Sequence, residues 1–159
     1  MATWQFSVVL IPTSWAEENS YSSSALYDEE GYDTECAWKD RQPESGFKAM
    51  LGEILPPAKS WHEELLTWGN EKEHDIQVCF ENEKINSIHI RLDLNQNLNE
   101  IIVKVVKAAK NLNCSLFFPE FKLIAKANEF ELKNAIKLSN AEKFVRNPQE
   151  FLNEISKKT

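Results

Sequence analysis

The 159 residues carry 25 acidic and 18 basic side chains, a net charge of -7, with 42% hydrophobic and 27% charged residues. These are ordinary globular proportions, sufficient for one hydrophobic core without disulfide or metal staples. The negative balance disfavours nonspecific binding to nucleic acid or anionic lipid, which rests on clustered Lys and Arg, and favours a basic partner.

The chain begins almost directly with an apolar run, Trp4 to Ile11. It has no basic leader and is too short for a signal peptide or a membrane span. The run alternates at first and then becomes apolar on both faces, as a central strand does on entering a core, and Pro12 ends it. The three cysteines, Cys36, Cys79 and Cys114, are odd in number and widely spaced, which predicts free thiols and a reducing, cytoplasmic setting.

Thr13 to Ser45 follows, a connection of 33 residues without periodicity, far longer than compact domains usually need. It holds nine acids against only Lys39 and Arg41, a net charge of -7, so the remainder of the chain is neutral. All three tyrosines (Tyr21, Tyr27, Tyr32), together with Trp15 and Trp38, lie among these acids. A solubilising tail would be poor in rings. Carboxylates interleaved with amphipathic rings instead fit a recognition surface, or a loop that folds its own rings against the domain.

Phe47, Met50, Leu51, Ile54 and Leu55 fall at helical spacing, and Pro56-Pro57 stops the helix. Ser60-Trp-His-Glu63 has the form of a capping box, which predicts a short helix from Trp61 to Trp68, ending at Gly69 with both tryptophans packed in the core. Asp75 to Glu81 and Ile85 to Leu94 alternate cleanly, with Ile76, Val78, Phe80, Ile88, Ile90 and Leu92 on the buried face. Setting Val78 opposite Ile88 makes paired numbers sum to 166, which places Asp75 across from Arg91 and Gln77 across from His89 and predicts a three-residue turn at Asn82 to Lys84.

Asn97 is placed to cap a helix whose stripe is Leu98, Ile101, Ile102, Val105, Val106, Ala109 and Leu112, with Lys104, Lys107 and Lys110 in water. Cys114 to Phe118 reads as a buried strand and Phe121 to Ala125 as an edge strand. Asn128 opens a helix burying Leu132, Ala135, Ile136 and, less regularly, Phe144; Asn147-Pro148 starts a last short one burying Phe151, Leu152 and Ile155.

The order predicts an α+β fold: a ferredoxin-like split β-α-β sandwich, its antiparallel sheet packed on helices, with a long acidic insertion after the first strand and extra C-terminal helices. Residues 1–159 read as one domain, with 13–45 as the insertion or loop within it. The sheet's second face, carrying Ser87, His89, Arg91 and Asp93, is expected to be open.

Leu55-Pro-Pro-Ala-Lys-Ser-Trp61, Leu65-Leu-Thr-Trp-Gly69, Ile90-Arg-Leu-Asp-Leu94 and the tail Ser139 to Leu152 resemble a family of small uncharacterised bacterial proteins. The resemblance implies a bacterial source and a common fold and brings no activity.

The residues themselves offer little chemistry. His62, His74 and His89 have no metal-ligand spacing, no cofactor fingerprint is present, and four glycines leave no phosphate-cradling loop. The outward positions Gln5, Ser7, Ser87, His89, Arg91 and Asp93 are not aromatic, so no base-stacking platform for RNA exists on that face. Cys79 and His89, one diagonal step apart across the hairpin, form a candidate thiol pair without an oxyanion site beside it. The leading reading is a noncatalytic binding protein, immunity-like, that neutralises a basic protein through Tyr21, Tyr27, Tyr32 and Trp38 as anchors and Asp28, Glu29, Glu30 and Asp33 as steering charges. The alternative is a small-molecule-binding domain or enzyme whose pocket lies at His89, Arg91 and Asp93 beneath the acidic stretch as a lid. Monomer and dimer are both consistent with the sequence.

Overall fold

The computed structural model describes residues 2–147. It is an α+β structure built on a seven-stranded sheet in the order β4-β5-β6-β7-β1-β8-β9, antiparallel at every pairing. The strands are β1 (Gln5–Pro12), β4 (Pro57–Ala58), β5 (Leu65–Gly69), β6 (Asp75–Glu81), β7 (Lys84–Asp93), β8 (Cys114–Phe118) and β9 (Leu123–Ala125). The acidic stretch of residues 13–45 contributes helix α1 (Thr13–Glu18), a separate hairpin of β2 (Tyr27–Asp28) and β3 (Gly31–Tyr32), and helix α2 (Glu35–Trp38). The remaining helices are α3 (Phe47–Gly52), α4 (Asn99–Asn111), α5 (Glu129–Leu138) and α6 (Asn140–Arg146).

The two faces of the sheet bury two different cores. Phe6, Val8, Leu10, Ile76, Val78, Ile88, Ile90, Leu92, Leu116 and Phe118 point to one side and meet α3, α4 and α5. The alternate residues of the central strands, Val9, Ile11 and Phe117, point the other way and are covered by Trp15, Ala16, Leu26 and Ala37 of the insertion. Apolar runs in β1 and β8 that do not alternate have this cause: both faces of these strands are out of water. The expectation of an open second face is therefore corrected at β1 and β8, where the acidic stretch covers it. Thr13 and Ser115 hydroxyls lie 2.9 Å apart, and Ser23 Oγ donates to the Lys122 carbonyl at 2.6 Å, tying the insertion to the far side of the sheet.

The β6–β7 register agrees with the sequence at five positions: Asp75 faces Arg91, Ile76 Ile90, Gln77 His89, Val78 Ile88 and Cys79 Ser87. The turn does not. Phe80 pairs with Ile85 and Glu81 with Lys84, so the loop is the two residues Asn82 and Glu83, with φ of 52° and 64°. Two consecutive left-handed residues make the tight turn that suits strand twist, and the extra residue is absorbed by a bulge after Cys79. A two-residue turn is thus reconciled with a register that would otherwise oppose buried and exposed side chains.

The helix expected from Trp61 to Trp68 is absent. Ser60 Oγ accepts from the His62 amide and donates back to the His62 carbonyl, which closes a turn, and Leu65–Gly69 continues as β5 against β6. Trp68 is buried, but Trp61 is 75% exposed, so the two rings share no core face. A local capping pattern competes with a sheet ladder, and the ladder with Ile76 and Val78 opposite wins because it buries side chains that a lone two-turn helix would not. A second correction concerns the helix after Asn128, which stops at Leu138; Ser139 turns to the extended region and caps α6, its hydroxyl accepting from the Glu142 amide at 3.1 Å. Asn128 acts as expected, accepting from the Glu131 amide at 2.8 Å. The helix expected after Asn147-Pro148 lies outside the described residues.

Gly69 joins β5 to the turn before β6 at φ +78°, where a Cβ would run into the His74 carbonyl oxygen and approach Leu55 Cδ1 at 2.9 Å. Gly69→Ala is expected to cost at least about 2 kcal/mol, from left-handed strain plus the clash with rigid backbone, read as a lowered denaturant midpoint. A change below about 0.5 kcal/mol would show that this turn tolerates a side chain.

Candidate functional site

The acidic hairpin packs its rings on the sheet. Tyr27 and Tyr32 pair across β2 and β3, and their rings lie 6.2 Å and 5.3 Å from the Phe117 ring, edge to face, with 6.2 Å between each other. Lys122 Nζ stands 4.9 Å from the Tyr27 ring centroid. Glu29 and Glu30 form the tip, Asp28 Oδ1 accepts from the Glu30 amide at 2.8 Å, and Gly31 closes the turn at φ +122°, which an L side chain rarely adopts. Asp33 Oδ1 then accepts from the Glu35 amide at 2.8 Å, starting α2.

Asp28, Glu29, Glu30 and Asp33 are all exposed, and none has an ion-pair partner among the described residues. Of the acids in residues 13–45, Glu18 alone has an ion-pair partner among the described residues, Arg41. The four expected steering charges therefore stand together around one short hairpin. The four expected anchors divide. Tyr32 is 38% exposed, Tyr21 and Tyr27 are half-buried against the second core, and Trp38 is 1% exposed in the main core. Trp38 is withdrawn as an anchor, because a ring enclosed by core side chains offers no face to a partner.

Behind the hairpin lies a groove of about 400 Å³. Tyr32, Asp33 and Thr34 line it from the insertion, and Cys79, Ser87, His89 and Val9 from the sheet. Thr34 holds the two sides together: buried, it donates its hydroxyl to the Asn86 carbonyl at 2.7 Å. Nothing in the sequence marked Thr34. Its signal is local, an Asp-Thr pair placed immediately before a helical turn, and its partner is 52 residues away.

His89 Nε2 lies 2.8 Å from Ser7 Oγ. Burial, and then the neighbouring Arg91 guanidinium, push its pKa down from 6.5 to about 4, so the imidazole is neutral at pH 7. Cys79 lines the same groove, in the register expected of it. The pocket anticipated at His89, Arg91 and Asp93 is thereby corrected, since only His89 lines this groove. Arg91 turns to Asp75, donating Nε–H to Oδ1 at 2.7 Å and pairing through Nη2 with Oδ2. Asp93 is buried and accepts from the Asn95 amide at 3.0 Å and the Gln96 side chain at 3.0 Å.

No protein-family model, curated protein or solved structure matches this chain. The resemblance noted from the spaced Trp, Leu-Pro and Arg-x-Asp features thus carries no functional argument, and the residues must. No group of three or more His, Cys, Asp or Glu side chains that could hold a metal ion occurs among the described residues. His74 is committed as a buried acceptor, its Nδ1 taking the Asp93 amide at 2.8 Å, and His62 Nδ1 takes the Glu64 amide at 3.0 Å. No helix among the described residues is long and apolar enough to cross a membrane.

Proposed function

We propose that this chain is a noncatalytic binding protein that engages a basic protein partner through the acidic β2–β3 hairpin. The observation that carries the reading is the presentation of Asp28, Glu29, Glu30 and Asp33, exposed and without ion pairs among the described residues, on a hairpin held by backbone turns and by stacking on Phe117. Carboxylates fixed in this way attract a cationic surface over about one Debye length, roughly 8 Å at physiological salt, and lose little conformational freedom when it arrives. A cationic nuclease blocked by an immunity-like protein is the kind of target that such a surface both steers and occludes.

The remaining parts of the reading rest on the architecture. The inner strand order β6-β7-β1-β8 supports a ferredoxin-like split β-α-β core, in which α4 makes one crossover while the crossover between β1 and β6 is enlarged by the insertion, α3, β4 and β5. We read the chain as a single cytoplasmic domain, and the free thiols Cys36, Cys79 and Cys114 support a reducing compartment.

The test is affinity capture with the native chain and with a D28K/E29K/E30K variant, followed by association kinetics on the captured protein. A strongly basic polypeptide is expected on the native chain, with association slowed about tenfold or more in the variant at low salt and the difference shrinking as salt is added. Equal association rates at low salt would sink the steering role.

A second reading is favoured by the groove itself: a cavity of about 400 Å³ beside a neutral histidine and a thiol is of a size to take a small molecule.

A further inference from the structure

We infer that the groove between Tyr32 to Thr34 and strands β6 and β7 receives a guanidinium group, an arginine side chain of the basic partner. This rests on the binding role proposed for the hairpin and names what that surface selects.

Charge comes first. Among the described residues no Lys or Arg lines the groove and Asp33 is its one carboxylate, while Asp28, Glu29 and Glu30 belong to the hairpin that carries Tyr32. Of the two cations on β7, Arg91 is already held on both oxygens of Asp75, and Lys84 stands at the far end beside the Asn82–Glu83 turn. An anionic ligand would meet four carboxylates, against Lys39 beside Asp33 and Lys122 beside Tyr27, whereas a cation finds a carboxylate without an ion pair among the described residues.

Shape and hydrogen bonding then separate guanidinium from ammonium. Tyr32, partly exposed, lines the groove, and an aromatic ring interacts with a planar, weakly hydrated cation more readily than with a strongly hydrated ammonium. The acceptors are spread around the groove and not gathered at one point. Asp33 Oδ1 serves the Glu35 amide, and neither Asp33 Oδ2 nor the Ser87 hydroxyl has a hydrogen-bond partner among the described residues. His89 engages Ser7 through Nε2, and its Nδ1 has no hydrogen-bond partner among the described residues. Five fixed N–H donors match such a spread better than the three of an ammonium.

The experiment uses the full chain and three probes of nearly equal size: N-acetyl-arginine amide, N-acetyl-citrulline amide, its neutral counterpart, and N-acetyl-lysine amide. Amide-resolved NMR titration is expected to show saturable shifts with the arginine probe, centred on Thr34, Ser87 and His89, and at least about tenfold weaker binding of the citrulline probe, with the lysine probe between them. Asp33→Asn, which keeps an acceptor for the Glu35 amide, is expected to weaken the arginine probe about tenfold, and Tyr32→Leu about threefold. Equal binding of arginine and citrulline probes, or no saturable shift at the groove up to about 50 mM, would overturn the inference without requiring any variant to fold. Failure here is distinct from failure of the hairpin reading. A basic protein that binds the Asp33→Asn and Tyr32→Leu chains unchanged but loses association with D28K/E29K/E30K would retain the acidic hairpin and eliminate the groove.

Discussion

Asp75→Ala is expected to destabilise the chain by about 3–5 kcal/mol. Asp75 has only 3% of its side chain exposed and Arg91 15%, and the two face each other directly across β6 and β7. Removing the carboxylate leaves a largely buried guanidinium with its donors unmet. The reason is desolvation, not a large favourable contribution from the pair, and that distinction has a consequence. Replacing both residues, Asp75→Leu with Arg91→Met, is expected to cost much less than Asp75→Ala alone, because no uncompensated charge remains. Chemical denaturation of the two variants checks both statements. A double variant as unstable as the single one would mean that the pair itself, through its bidentate geometry, supplies net stability.

The second large effect is acid sensitivity through His89. Its folded pKa is about 4 against an ordinary 6.5, because burial and Arg91 penalise the imidazolium. Between pH 6.5 and pH 4 the unfolded chain therefore binds a proton that the folded chain refuses, and stability falls as pH falls. The contribution is fully present above pH 6.5 and is lost on acidification to about pH 4, amounting to about 2–3 kcal/mol. The comparison that isolates it is the denaturant stability of the native chain and of His89→Gln from pH 7 to pH 4, since the carboxylates titrate in both. The gap between the two curves is expected to narrow or reverse on acidification. A constant gap across that range would show that His89 takes up its proton in the folded chain as easily as in the unfolded one. His74, whose pKa is also lowered by burial, stays intact in both chains and cancels from the comparison.

The same histidine links stability to the proposed site. His89 lines the same groove as Asp33, so charging it would place a cation where a cationic group is proposed to bind. Both effects trace to one side chain that the alternating pattern of β7 put on the second face of the sheet.

The elements that could be read from the chain are those whose signal repeats over many residues. The hairpin of β6 and β7 was legible to the level of paired residues, because a period of two with one buried face permits one register, and a slip by one residue would expose Ile88 and Ile90 together. Helix α4 was legible from its stripe, and the start of α5 from Asn128. Ser60 to Glu63 misled because a four-residue capping pattern carries no information about what lies across the sheet from Trp68. The turn at Asn82 and Glu83 was displaced by one residue because a bulge changes the count without changing the alternation on either side.

The candidate site was legible in composition and not in geometry. The acids and rings of the insertion stood out by count, yet Trp38 among them is core, and Thr34, which joins the insertion to β7, did not stand out at all. By itself, the sequence determined the alternation of the central strands, the long helix and the concentration of negative charge, since each is a periodic or summed property of neighbouring residues. Only the tertiary structure decided that the acidic stretch closes over Val9, Ile11 and Phe117 and forms a groove with His89. Those contacts join residues as far as 102 positions apart, as Thr13 and Ser115 are, and such pairings are chosen by the burial of whole surfaces, which no local pattern encodes.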